Sequence, residues 1–423
     1  MTKKRKNILI ISTPDISHAA GVLAYDLHQG LSKYHNSQMM VYGTKHKRKD
    51  VVSYFSPKRL YLKKVINKFK RKFKIDIKTD NNYYFFDINQ RKNLLNVKKV
   101  NKLVDKPDVI IGYFANAFFN IKDLFDLQQF YKVPIILFMA DMIHITGGCH
   151  FAWDCEGYKK DCSNCPAIVN FKDKYHAKDN LKFNKSLVDE MDIQLVAHCS
   201  QDYNYALESS LFKNKKINMF IAGIDLSIFY NKNQKNELRN KYNIDLNNFV
   251  ILFGATNTQE KRKGVKYFIE AIQKLENEIN LSNFSIVSIG RGNLETLLPN
   301  TKAKIHNLGY ISNFNQLSDI YNMVDLFVVS SIQDSGPMMI NQSIASGTPV
   351  VCFKIGVAED IVIDGLTGYK APVKNSSILA EKIKKIYLKS SKEKSVLANN
   401  CTKFAENNFS SEVVTNKLLE IIE

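Results

Sequence analysis

The sequence predicts an α/β protein of two domains, each a mainly parallel sheet wrapped by helices. Three observations carry this. The chain has 423 residues, more than one hydrophobic core usually serves. Short apolar runs alternate with segments of helical period, the pattern of strands buried on both faces. A polar stretch rich in Asn and Lys, residues 231–248, then reads as a linker region between two halves of similar plan.

In the first half, residues 8–12 read as a strand and 21–34 as a helix, with Leu23, Leu27 and Leu31 on one face. Strands follow at 38–42, 108–113, 134–139 and 195–198, and a helix opens near Ser200–Gln201. The second half restarts with strands at 249–254, 285–289, 305–308, 326–330 and 349–353, with a helix at 265–279. The expected domains are therefore 1–230 and 231–407. The last segment, 410–422, carries an apolar helical face.

Composition bounds the rest. With 45% hydrophobic residues the chain is globular. The N-terminal run MTKKRKNILIISTP has too short an apolar core for a signal peptide, and Ser12, Thr13 and Pro14 stop it. No stretch of about 18 apolar residues occurs, so no span is expected and the protein is expected to be cytoplasmic. The formal charge is +19. Between Lys58 and Lys74, nine of 17 residues are basic and none is acidic. Tyr61, Leu62, Val65, Ile66, Phe69 and Phe73 form one apolar arc there, a pattern suited to an anionic membrane surface on the inner face of the cell membrane. A basic helix packed on its own domain is the alternative. No aromatic stacking array accompanies the charge, so no nucleic-acid partner is expected.

Residues 329–372 concentrate the chemistry. A strand end leads into a loop, a short helix opened by Pro337, a strand at 349–353, and a Gly-bearing turn at Gly356 before Glu359–Asp360. Pro337 suits a first helical position. Helix starts beside strand ends attract anions, phosphates above all. The run resembles the donor-binding segment of family 4 retaining glycosyltransferases of GT-B fold. That family pairs two acidic residues with seven others between them, followed by Gly-Thr-Pro-Val-Val and a Gly-rich turn ending near a Glu. Asp334 and Gln342 occupy the paired positions here, Gly347 to Val351 match the strand entry, and Gly356 to Glu359 the turn. Gln342 departs from the usual Glu.

The resemblance implies two facing Rossmann-like domains with a deep interdomain cleft, the last helix, about 408–423, crossing back to the first domain. It assigns Lys263, with Arg262, to the donor diphosphate; the Arg usual six residues earlier is Asn257 here. Gly290 lies in the second phosphate-side turn, and Tyr310–Ile311 in the turn whose backbone reads the base. Ser335, Gly336 and Pro337 start the donor helix, and Glu359 faces the sugar, with Asp360 competing for that role. Fixed cations and N–H groups can stabilise a leaving diphosphate without a metal, so no catalytic cofactor is expected beyond the donor, a UDP- or GDP-sugar.

Tyr25 to Leu31 and Asp141 to Ala167 resemble a subgroup active in surface-polysaccharide assembly. The His that relatives carry before the Asp is Ala140 here, leaving Asp141 and His144, and also His150, as acceptor-side candidates. The same loop holds Cys149, Cys155, Cys162 and Cys165. They suit either a structural zinc or a metal-free packed loop, with His150 an alternative ligand to Cys149. The implied function is transfer of a sugar to a glycan or lipid-linked acceptor in capsule, O-antigen or exopolysaccharide synthesis. A sugar-nucleotide epimerase, a phosphorylase and a catalytically silent binding protein of the same fold are the rivals.

Overall fold

The computed structural model describes residues 4–13, 19–44, 48–63, 77–86, 89–115, 118–257 and 259–423. The chain divides into two compact units, one of residues 1–198, 202–220 and 415–423, the other of 199–201 and 221–414.

The first unit is built on a seven-stranded parallel sheet. Its strands are β1 (Asn7–Ser12), β2 (Asn36–Val41), β3 (Val51–Ser53), β4 (Val109–Gly112), β5 (Ile135–Met139), β6 (Ile193–Ala197) and β7 (Ile217–Met219). Their order is β3-β2-β1-β4-β5-β6-β7. β1 sits inside it, Ile8 registering with Ser37 on one side and Val109 on the other. β4 and β5 are buried along their whole length, which is why they are continuously apolar in sequence.

Helix Ala19–Ser32 lies in this unit. A Cβ placed on Gly30 would stand 2.0 Å from Thr415 Oγ1, and Lys6 Nζ donates to the Ile422 carbonyl at 2.6 Å. Helix Ser411–Ile422 thus joins the first unit only from Thr415 onward. The expected return near 408 is seven residues too early, because Phe409 belongs to the second core and its carbonyl accepts from Ile224 N–H.

The second unit holds a six-stranded parallel sheet: β8 (Phe249–Asn257), β9 (Phe284–Arg291), β10 (Lys304–Gly309), β11 (Leu326–Val329), β12 (Val350–Phe353) and β13 (Gly368–Ala371). The order is β10-β9-β8-β11-β12-β13. Helix Val265–Glu278 buries Val265, Phe268, Ala271, Ile272 and Leu275, an i, i+3, i+7 stripe against the sheet. Residues 221–230 also belong here, not to the first domain as expected: Ile221, Ile224 and Phe229 are buried in this core. Nor is 231–248 a linker. Helix Lys235–Lys241 buries Arg239, which pairs with Asp325 at 2.7 Å and donates to the carbonyls of Met323, Leu246 and Asn248.

Among the described residues no helix is long and apolar enough to cross a membrane. Of the basic segment, residues 57–63 are helical, with Tyr61 and Leu62 largely exposed; the remainder of 58–74 lies outside the described residues.

Candidate functional site

The second unit gathers its polar chemistry where β8 and β11 end. Lys261–Lys263 form one 3-10 turn, closed by Gly264 at φ 61°. A Cβ there would lie 2.0 Å from the Ser330 carbonyl oxygen, so the turn demands glycine. Ser330 Oγ donates to the Lys263 carbonyl at 3.0 Å, and Ile332 N–H to the Arg262 carbonyl at 2.7 Å. The basic turn is thereby fixed onto the segment after β11.

That placement brings three predicted residues together. Lys263 Nζ lies 2.7 Å and Arg262 Nη1 3.0 Å from the same oxygen, Asp334 Oδ2. Arg262 Nη2 also pairs with Glu260 at 2.9 Å. All three predicted side chains are at most 16% exposed. Burial alone would raise the Asp334 pKa, but the Lys263 and Arg262 charges outweigh it and hold the carboxyl below its ordinary range. The two cations are therefore preassembled on a carboxylate.

Two loops lie backbone to backbone beside this cluster. A Cβ on Gly356 (φ 55°) would be 2.4 Å from the Ser335 oxygen and 2.7 Å from that of Asp334, and one on Gly336 would be 2.7 Å from Val357 Cβ. Val357 N–H donates to Ser335 at 3.0 Å. Gln201 adds a brace the sequence did not disclose, its Oε1 accepting from Gly356 N–H at 3.0 Å. Pro337 is the N-cap of helix Met338–Ala345, one position before the first helical residue, which is the place expected for it. Gln342 is buried, and its Oε1 accepts from the Tyr321 hydroxyl at 3.1 Å; Tyr321 has no local sequence signal.

The structure separates the adjacent carboxylates. Asp360 Oδ2 accepts from Ser200 N–H at 2.8 Å, capping helix Ser200–Glu208. Glu359, on the short helix Ala358–Ile361, keeps a side chain 34% exposed and 4.0 Å from Lys354 Nζ. Gly290 (φ 117°) pairs with Ala255 at the register shift before the last β8–β9 pair, Asn257 with Arg291, and a Cβ there would meet the Ala255 oxygen at 1.6 Å. Arg291 lies over the Tyr310 ring at 5.7 Å. Tyr310 is exposed, whereas Ile311 packs against the second core.

Asp141, His144 and the cysteine loop belong to the first unit. Asp141 caps the 3-10 turn Met142–Ile145 through Ile143 N–H and pairs with His150 Nδ1 at 2.7 Å. Burial would lower the His150 pKa, but the Asp141 charge and hydrogen bond raise it; burial would raise Asp141, which His150 lowers. Each partner thus favours the other's charged form. His144 stacks on Phe119, and burial pushes its pKa down to about 4, so it is neutral near pH 7. His150 is taken by Asp141, while Cys149 lines a small cavity with Cys155, Cys162 and Cys165. All four thiols are free, and burial raises the pKa of Cys149, of Cys165, and of Cys162 up to about 12.

Residues 248–389 match the family model described as glycosyl transferases group 1. The matched span contains the cation cluster, Gln342 and Glu359. Among curated proteins, the chain is 23% identical over 244 residues to the putative colanic acid biosynthesis glycosyl transferase WcaC of Escherichia coli, covering 54% of each. It is 26% identical over 219 residues to the capsular polysaccharide biosynthesis glycosyltransferase CapM of Staphylococcus aureus, covering 50% of this chain and 56% of CapM. The chain thus spans about half the length of the curated relatives it matches. Sucrose-phosphate synthase of Thermosynechococcus elongatus superposes with a TM-score of 0.67 at 15% identity, over 99% of this chain and 98% of that one. Anabaena HepE in complex with UDP-glucose gives 0.65 at 14% identity, over 99% of each. The fold is GT-B, with two Rossmann-like domains.

Proposed function

We propose that this chain is a retaining glycosyltransferase that moves a sugar from a UDP- or GDP-sugar to a glycan or lipid-linked acceptor during cell-surface polysaccharide assembly. The observation that carries the reading is the Lys263–Arg262–Asp334 cluster inside a group 1 domain. Two fixed cations offset the charge that grows on a departing diphosphate, and being preassembled they need no reorganisation at the moment of reaction. Lysine and arginine supply this charge, so the chemistry asks for no metal. N–H groups from Ser335 to the helix behind Pro337 add to it, while Gly290 and Tyr310–Ile311 flank the nucleotide. Gln342 faces the ribose, and Glu359 engages the sugar ring. Retention follows from attack on the face the diphosphate leaves, the departing phosphate taking the acceptor's proton. Asp141, with His144 beside it, belongs to the acceptor side.

The UDP-glucose bound to HepE supports a UDP-sugar donor, and the names of WcaC and CapM support a polysaccharide product. The basic segment 58–74 would hold the protein peripherally on the anionic cytoplasmic face of the membrane. The exposed Tyr61 and Leu62 support this. Liposome flotation tests it: neutralising Lys63, Lys64, Lys70 and Arg71 abolishes binding, and unchanged binding removes the membrane role.

The decisive assay follows nucleoside diphosphate release from a panel of UDP- and GDP-sugars with and without acceptor glycans. Acceptor-dependent release supports transfer. Conversion of the donor to an epimer with no release would replace transfer by epimerisation. Turnover unaffected by both Lys263→Ala and Glu359→Ala would remove this site from the chemistry.

A further inference from the structure

The cysteine loop of the first unit is outside the donor chemistry and calls for its own explanation. Cys149, Cys155, Cys162 and Cys165, with Tyr83, Ala152, Tyr158 and Pro166, wall one cavity of about 10 Å³, room for a single atom-sized occupant. The backbone aims donors at three of the four sulfurs. Gly157 N–H donates to Cys155 Sγ at 3.4 Å. Gly147 N–H faces Cys162 Sγ, and the N–H groups of Ala167 and Ile168 face Cys165 Sγ. A neutral thiol is a weak acceptor. N–H groups two and three residues beyond a cysteine, converging on its sulfur, stabilise a thiolate.

The backbone is also wound tightly around this point. Cys162 and Asn164 both adopt positive φ, 53° and 58°. Cys162 N–H closes onto the Gly157 carbonyl at 2.9 Å, and a Cβ on Gly157 would press on Cys155 Sγ and Cys162 Cα. A loop strained into left-handed conformations persists where something over-determines it. Two disulfides would join the sulfurs in separate pairs, yet all four face one cavity and none is bonded. Four unbonded sulfurs around one cavity are a soft donor set suited to a single cation.

We infer that Cys149, Cys155, Cys162 and Cys165 bind one structural Zn²⁺ as a tetrathiolate, clamping the loop that carries His150 onto Asp141. Zinc–sulfur bonds of about 2.3 Å in a closed tetrahedron need only a cavity of this scale. Among the described residues no group of three or more His, Cys, Asp or Glu is already arranged as a metal site, so zinc binding would require the four sulfurs to close in on the cavity they line. Each thiol gives its proton to solvent, up to four per ion, and the N–H donors spread the resulting negative charge. Cys199, Cys352 and Cys401 are buried elsewhere and take no part. This inference is independent of the donor chemistry.

The test uses the full chain purified without added chelator. Elemental analysis should find one zinc per chain, released with a chromogenic chelator as a mercurial titrates the thiols. Replacement by Co²⁺ should give sulfur-to-cobalt charge-transfer bands and intense red d–d bands. Cys155→Ser and Cys165→Ser should each lower bound zinc at least about tenfold, consistent with the loss expected when a ligand set is broken. Because these variants can misfold, thiols are also counted in denatured wild type without reductant: seven should react once the metal is chelated. Iron in place of zinc, no metal with seven reactive thiols, or only three reactive thiols would each overturn the inference.

Discussion

Asp334→Asn should destabilise the protein, and adding Lys263→Met should restore stability. In the wild type one carboxylate oxygen serves two cations at 2.7 and 3.0 Å, all of them largely buried. Breaking a buried ion pair from one side costs about 3–5 kcal/mol, because a charge is left uncompensated. Arg262 retains Glu260 at 2.9 Å, so the stranded group is Lys263. In a unit of about 200 residues each kcal/mol moves Tm by roughly 2–4 °C, giving a fall on the order of 6–20 °C. Lys263→Met in that background removes the stranded cation and should recover roughly half the loss, a coupling of about 2 kcal/mol between contacting residues. Lys263→Met alone should cost less than Asp334→Asn, since Arg262 still serves the carboxylate. Differential scanning fluorimetry on the four proteins, with and without UDP and GDP, reads both effects. A nucleoside diphosphate supplies the missing negative charge, so it should raise the Tm of Asp334→Asn more than that of the wild type. A double variant less stable than Asp334→Asn would refute the assignment of the cluster as a charge-balanced unit.

Glu359→Gln should cut kcat about 10²-fold, as loss of one transition-state contact does elsewhere, with Tm unchanged; Asp360→Ala should instead lower stability by about 1 kcal/mol through the lost cap at Ser200. Tyr321→Phe leaves the buried Gln342 oxygen without its donor and should cost about 1–3 kcal/mol in chemical denaturation. His150 is held above its ordinary 6.5, so its contribution is complete below pH 6.5 and is lost as pH rises through the raised value. Asp141 is held below 3.8, so its share is present above pH 3.8 and lost as pH falls through the depressed value. The stability gap between wild type and His150→Gln should therefore be widest between those limits and narrow as pH rises through the raised His150 value. His144 is the opposite case: neutral in the fold down to about pH 4, it favours unfolding as pH falls below 6.5, and His144→Gln should recover about 3 kcal/mol of stability across that interval.

β4 and β5 were legible in the sequence because they are buried along their length and their residues are apolar without interruption; β10 was legible although partly exposed, and the buried β13 was missed. β3 and β7 were not legible because each is three residues long and partly exposed, leaving no period to detect. The segment 231–248 misleads for a different reason. Its composition is that of a linker, but Arg239 finds its counter-charge in Asp325, 86 residues away, and no local pattern announces such a pairing. The site divides along the same line. Lys263, Asp334 and Gly356 sit in motifs because backbone geometry at turns imposes residue type locally. Gln201 and Tyr321 act by completing hydrogen bonds from remote elements, so their roles exist only once the chain has folded. Glu359 and Asp360 make the point within two residues: chemically alike and adjacent, they are told apart only by Ser200, whose N–H occupies one carboxylate and leaves the other facing solvent.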